Sequence, residues 1–323
     1  RPRRGDSRNR GSAAGANVSR SGGQRRGSGK GTRSRSKKSA GRGPGGYQSP
    51  RRATAPSTRS SQTVGKGKSR TRSDDLGGDH VEGRQAVREL LRAGRRKVEQ
   101  VLVSDEVRDT AILAEIADLS EERRVPFRQL ARAKLDDLAL TESHQGVIAA
   151  AESIRAVDLD EVLSAKQNEP FMVVVLDGVT DPGNLGAILR TAEIAGATAV
   201  VLPRHRAVRL TPAAVKAAAG AVEYLPIALV GGLPTALQRM SNEGLWVVGL
   251  DGSARDSIYE LRVANEPLAI VFGAEGRGLS HLVGQRCDQL VSIPQNGRLE
   301  SLNVSNAAAV TIYEVRRRRE MEP

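Results

Sequence analysis

Residues 298–306 read R-L-E-S-L-N-V-S-N, immediately before the last stretch of the chain able to form a long helix. Ser301, Asn303, Ser305 and Asn306 are short polar residues that compete with helical backbone hydrogen bonds and lower helix propensity. One of them is enough to cap a helix, so the surplus points to a site. Two other loops carry the same kind of residues. D-G-V-T-D-P-G-N-L-G-A-I-L-R-T-A-E begins at Asp177; its Asp181-Pro182-Gly183 reads as a turn, with Asn184 capping the next helix and Arg190 flanking the apolar face. G-A-E-G-R-G (273–278) sets Glu275 among glycines that permit close approach of backbone to a ligand. The glycine order is not the dinucleotide fingerprint and no Gly-Lys-Ser/Thr follows, so phosphate cradling is not indicated. Taken singly, each loop also fits an ordinary cap or an exposed turn.

The three loops share a position: each follows a candidate strand. Apolar runs at 171–177, 199–202, 225–230, 245–250, 268–272 and 290–293 alternate with helical patterns at 184–196, 211–222, 233–243, 279–286 and 302–319. Continuous apolar strands separated by helices predict a parallel α/β sheet covered on both faces, with ligands at the carboxyl ends of its strands. A smaller α/β unit precedes it. It has helices at 83–93, 110–124 and 133–140 and strands at 98–104, 125–127 and 146–151. The expected division is a basic arm over 1–76, a small domain over 77–153, a linker with one short helix over 154–170, and the parallel-sheet domain over 171–323.

The chain of 323 residues carries a formal charge of +13, but the average conceals a split. Residues 1–75 hold 21 Lys and Arg against 3 Asp, with Val18 and Val64 as the only aliphatic residues beyond alanine, so the remainder is net acidic. Such a segment cannot bury a core and is expected to be disordered, a flexible arm for a polyanion or a solubilising tail. No apolar run reaches membrane-spanning length. The single Cys287 excludes an intramolecular disulfide and a cysteine-cluster zinc site, and the four histidines show no ligand spacing. These features predict a cytoplasmic chain with no membrane partner and no metal.

The three loops, in order, resemble the signature motifs of the SpoU (TrmH) branch of the SPOUT RNA methyltransferases. D-G-V-T-D-P-G-N-L-G-A-I-L-R-T-A is similar to the first motif, I-V-F-G-A-E-G-R-G-L to the second and S-I-P-Q-N-G-R-L-E-S-L-N-V-S-N-A to the third. E-G-R-Q-A-V-R-E-L-L-R-A-G and H-Q-G-V-I-A-A (144–150) resemble the small RNA-binding domain of ribosomal members. The likeness covers about residues 80–320 and implies transfer of a methyl group from S-adenosylmethionine to a ribose 2′-hydroxyl. The substrate it implies is a guanosine of 23S rRNA, with transfer RNA or a noncatalytic ribosome-assembly role on the same fold as alternatives. It also implies a deep C-terminal trefoil knot, threaded over about 272–310, and a homodimer with a site completed across the interface.

By motif position the resemblance places catalysis at Asn184, Arg190, Glu275, Ser301 and Asn303. It places cofactor contacts at Gly249, Leu250, Gly273, Ile293 and Leu302, and RNA contacts at Arg84, His144 and Gln145. A guanidinium is a poor proton acceptor in ordinary settings, so the implied role of Arg190 is electrostatic, on the substrate phosphate and the developing alkoxide. Ser301 is expected to cap the last helix, and Val304, Ala307, Ala308, Val310 and Ile312 are candidates for the dimer contact. Gln295 stands where relatives often carry an apolar residue. A nicotinamide oxidoreductase is excluded by the glycine order and by A-V-V-L-P-R (199–204), which lacks an acidic residue at the end of the second strand.

Overall fold

In the computed structural model, residues 74–108, 110–165, 169–205, 209–299 and 301–321 are described. The expected basic arm lies outside them as far as residue 73. Its last residues do not continue an arm: β1 (Asp75–Gly77) pairs antiparallel with β6 (Ile154–Arg155), and Leu76 is buried.

The first sheet contains β2 (His80–Glu82), β3 (Val98–Ser104), β4 (Phe127–Leu130) and β5 (Val147–Ala151), in the order β2-β5-β3-β4, with only the β3–β4 pair parallel. The β4 strand starts two residues later than the sequence suggests. Arg124 takes a left-handed turn (φ 54°), and Pro126 offers only its carbonyl, which accepts from Val101 N–H at 2.8 Å. Helices α1 (Arg84–Ala93), α2 (Ala111–Glu122) and α3 (Arg132–Leu138) cover this sheet. Val87, Leu90 and Leu91 of α1 are fully buried, as their 3–4 spacing requires.

The segment 154–164 carries two elements, β6 and one short helix. Val157 donates to Ile227 O at 2.9 Å, and α4 (Leu159–Ser164) packs Leu159 and Leu163 against the second sheet.

That second sheet has seven parallel strands: β7 (Met172–Asp177), β8 (Ala199–Pro203), β9 (Ile227–Val230), β10 (Trp246–Leu250), β11 (Asp256–Ser257), β12 (Leu268–Gly273) and β13 (Gln289–Ser292). Their order is β11-β13-β10-β12-β7-β8-β9. On β7, Met172, Val174 and Leu176 enter the core under α5 (Pro182–Ile194), α6 (Pro212–Ala218) and α9 (Val304–Met321). Val173 and Val175 enter the core under α4, α7 (Leu233–Asn242) and α8 (His281–Gly284). Alternate residues thus feed opposite faces of a three-layer sandwich. Helices α5 and α6 pack too closely for a side chain at Gly186, where a Cβ would lie 2.4 Å from Ala214 O.

Strand order positions the site. The chain lays β7, β8 and β9 outward, then returns to place β10 beyond β12. The order therefore reverses at the β7–β12 boundary, where an open α/β sheet forms its ligand crevice. On one side of that boundary β12, β10 and β13 lie side by side, and the loops leaving their carboxyl ends line a common space.

Two anchors hold the assembly. Arg96 and Glu223 form a buried ion pair at 2.6 Å between the two sheets' units, and Arg96 also donates to Gly78 O and Glu152 O. At the end of α9, Arg319 donates to the carbonyls of Pro170, Phe171, Ala264 and Glu266, and burial lowers its pKa. Among the described residues no helix is long and apolar enough to cross a membrane.

Candidate active site

The first-motif helix begins earlier than its sequence suggests. Asp181, not Asn184, is the N-cap: its carboxylate accepts from Asn184 N–H at 2.7 Å, and Pro182 occupies the first helical turn. The Asn184 side chain is thereby released and donates from Nδ2 to Glu275 Oε1 at 3.0 Å.

A corresponding correction applies at α9. Ser301 does not cap it and makes no hydrogen bond among the described residues. Asn303 does the capping, its Oδ1 accepting from Ser305 N–H at 2.9 Å, from Ser305 Oγ–H at 2.5 Å and from Asn306 N–H at 3.4 Å. Its Nδ2 donates to Asn184 Oδ1 at 2.9 Å and to Glu275 Oε1 at 2.8 Å. Asn184, Glu275 and Asn303, one from each loop, form a single closed cluster. A flipped Asn303 amide would set NH2 against three donors, so the cap fixes the amide's direction.

Glu275 reaches the cluster from a tight turn. Ala274 and Gly278 exchange two backbone hydrogen bonds, at 3.0 and 2.9 Å, and Gly276 and Gly278 have positive φ. The turn folds back onto Gly273 so closely that a Cβ there would lie 2.1 Å from the Gly278 carbonyl carbon. Beside the cluster opens a cleft of about 510 Å3. Leu250, Phe272, Ile293, Leu302, Val304 and Ala307 give it apolar walls, and Gly273, Gly276, Glu275, Gln295, Ser301 and Asn303 also line it. A Cβ added at Gly252, Gly276 or Gly278 would meet nothing within 4 Å, so these glycines leave room that side chains would take.

The other expected positions divide. Leu250, Gly273, Ile293 and Leu302 line the cleft, whereas Gly249 does not: the space at its Cα is filled by Cys287, Leu279 and Leu290. Burial pushes the Cys287 thiol up to about 12. Arg190 is exposed on α5, does not line the cleft, and makes no hydrogen bond or ion pair among the described residues. Of the apolar α9 residues considered for a dimer contact, Val304, Ala307, Ala308 and Ile312 are buried within this chain. Val310 is exposed, and so are Tyr313 and Ile194, which the sequence did not single out.

In the small unit, His144 is not a surface residue. It is 2 % exposed, its Nε2 meets Asp136 Oδ1 at 2.7 Å, and its Nδ1 accepts from Gly146 N–H, so it braces a loop. Arg84 and Gln145 hold each other, Arg84 N–H donating to Gln145 Oε1 and Arg84 Nε to Gln145 O, both at 3.1 Å. They line a depression of about 790 Å3 together with Arg108 and Arg132, two cations that sequence reading missed.

The SpoU rRNA methylase family model matches residues 171–313, and the model for RNA 2′-O-ribose methyltransferase substrate binding matches residues 80–156. The 23S rRNA (guanosine-2′-O-)-methyltransferase of Pseudomonas putida is 40% identical over 248 residues, which are 76% of this chain and 98% of that protein. This chain belongs to the SpoU methylase family. The corresponding enzyme of Haemophilus influenzae is 48% identical over 192 residues, 58% of this chain and 77% of its own length. The crystal structure of the SpoU methyltransferase AviRb from Streptomyces viridochromogenes, in complex with the cofactor AdoMet, superposes with a TM-score of 0.62 at 27% identity. It covers 75% of this chain and 90% of that one. Both expected units of the family, methylase and substrate-binding, are therefore present, and the chain is an RNA ribose 2′-O-methyltransferase.

Proposed function

We propose that the chain transfers a methyl group from S-adenosylmethionine to the 2′-hydroxyl of a guanosine in 23S rRNA, acting as a cytoplasmic homodimer. The observation that carries this reading is the Asn184–Glu275–Asn303 cluster on the rim of a glycine-lined apolar cleft. The cleft fits the donor: apolar walls suit an adenine ring and a thioether chain, and open space beside Gly252, Gly276 and Gly278 is what a bound nucleoside requires. Leu250, Gly273, Ile293 and Leu302 would hold it. When bound, it supplies an electrophilic methyl group on a sulfonium.

The chain's own residues orient the acceptor. Two amides fasten Oε1 of Glu275, while Oε2 has no partner among the described residues and is available to take a hydrogen bond from the ribose hydroxyl. Ser301, on the cleft wall with a free hydroxyl, helps seat donor and ribose together. Arg190 has no role within its own chain's cleft, and a second copy gives it one. The exposed Ile194, Val310 and Tyr313 on α5 and α9 suit a chain–chain contact that would carry Arg190 to the partner's site, where it stabilises substrate phosphate and developing alkoxide. Orientation of this kind can lower a barrier by about 7–11 kcal/mol in favourable cases.

RNA is gripped away from the chemistry by the small domain. Arg84, Arg108, Arg132 and Gln145 around one depression suit phosphate contacts, with the basic arm adding nonspecific affinity. We read the chain as an arm, a small RNA-binding domain over 77–153, a short connection and a methyltransferase domain over 171–323. The segment from about 272 to 310 is read as threading a trefoil knot, which suits the insertion of β12 between β7 and β10.

The test is tritiated-methyl transfer to unmodified 23S rRNA, followed by digestion to nucleosides. The expected product is 2′-O-methylguanosine. Absence of transfer, or label on a base, contradicts the reading; the former would favour a noncatalytic assembly role.

A further inference from the structure

The 274–278 turn has two faces, and the cleft occupies only one. On the other lies a groove of about 810 Å3 at the carboxyl ends of β7 and β8. Ala274 and Gly278 line both spaces, so the turn is their common wall. Its tip presents opposite charges to the two sides: Glu275 lines the cleft and Arg277 lines the groove. Pro203, Leu233 and Leu279 give the groove apolar surface. Asp177 stands in it with its carboxylate fixed from behind, Oδ2 accepting from Ser280 N–H at 2.7 Å, while Oδ1 has no partner among the described residues.

We infer that this groove receives the base of the methylated nucleotide, and that Asp177 and Arg277 select guanine. The inference rests on the RNA 2′-O-methyltransferase activity described above. A ribose held at Glu275 for attack on a methyl group in the cleft must carry its base to a neighbouring space, and the groove shares the wall that bears Glu275. Guanine alone among the four bases presents two adjacent donors, N1–H and the N2 amino group, which one carboxylate oxygen or pair of oxygens can accept. Its O6 and N7 form the acceptor pair that a guanidinium matches in bidentate fashion. Adenine sets an acceptor at N1 against the carboxylate, and uracil offers it a single donor. The apolar surface covers the ring faces. Asp177 and Arg277 are thus specificity residues, separate from the groups that hold the donor.

The test first locates the nucleotide that the wild type methylates, then uses the full chain and 23S rRNA carrying guanosine, inosine, adenosine or uridine at that position. For the wild type, kcat/KM should be highest with guanosine and lower with inosine, which lacks the N2 amino group. Arg277→Ala should lower kcat/KM for guanosine by about ten- to a hundredfold with little change for adenosine. Asp177→Asn keeps an acceptor for Ser280 N–H but turns NH2 toward the groove, so it should lose guanosine and gain adenosine. Both variants should bind S-adenosylhomocysteine as the wild type does. A wild type that methylates all four transcripts equally, or an Arg277→Ala variant with unaltered base preference, overturns the inference whatever Asp177→Asn does. A wild type that methylates none of them removes the underlying activity, and the inference with it.

Discussion

Asn303 and Asn184 lie 119 positions apart in the chain, yet Nδ2 of the first donates to Oδ1 of the second at 2.9 Å. The same Asn303 caps α9 with its other amide atom. One side chain therefore fixes both a helix start and the geometry of the polar cluster.

This dual use separates two substitutions. Asn303→Asp retains the capping oxygen but loses the donors to Glu275 and Asn184 and sets a second negative charge beside the first. It should keep the cap's share of the stability while methyl transfer falls at least about tenfold, consistent with one lost charge-assisted hydrogen bond. Asn303→Ala should lose activity to a similar degree and also about 1 kcal/mol of stability through the missing cap. Thermal unfolding and initial rates, measured on both variants, check this.

Arg190 and Glu275 are predicted to serve one site from two chains. Arg190→Ala and Glu275→Gln should each be nearly inactive while binding S-adenosylhomocysteine normally. Mixed and allowed to exchange subunits, they should recover up to about a quarter of wild-type activity, because mixed dimers hold one intact composite site. No recovery on mixing would place Arg190 in its own chain's site.

The Arg96–Glu223 pair joins the two sheets' units with side chains 8% and 2% exposed. Replacing one partner leaves a buried charge unmatched and should cost about 3–5 kcal/mol. Arg96→Met together with Glu223→Leu should cost clearly less than the sum of the single changes. Urea denaturation of the three variants checks the cycle.

Glu314 supplies a pH dependence with a definite sign. The hydrogen bond from Arg317 holds its carboxyl down to about 2, assisted by Arg318 and opposed by burial, against an ordinary value of 4.5. A carboxylate with a depressed folded-state pKa stabilises fully above its unfolded value, and the stabilisation is lost as pH falls from about 4.5 toward 2. Wild type should lose its stability advantage over Glu314→Gln across that window and keep it from pH 5 upward. Urea midpoints at a series of pH values check this.

Much of this was legible in the sequence, for reasons that also explain the gaps. Apolar runs such as Met172–Leu176 announce buried parallel strands, and three polar loops after three such runs announce a shared edge. The caps were misplaced because Ser301 and Asn303 are equally good capping types, and only the fold chooses between them. Asp181-Pro182 did carry a signal, a capping residue followed by proline at the first helical position. Strands of two or three residues, such as Asp75–Gly77 and Asp256–Ser257, are too short to display alternation. The burial of His144 is not visible in the sequence, because it depends on the left-handed turn at Gln145 and Gly146 that folds the ring beneath its own loop. Arg108 and Arg132 are 24 positions apart and meet at one depression only through the fold.

The most direct test of the central claim is calorimetric titration of S-adenosylhomocysteine into wild type and Gly252→Val. Gly252 lines the cleft, has no atom within 4 Å of an added Cβ, and so accepts a side chain without internal clash. One donor site per chain is expected, with binding weakened more than about tenfold by the valine, which fills space a ligand needs, and with an unchanged unfolding temperature. Equal affinity in the two proteins would mean that the donor binds elsewhere and would contradict the account.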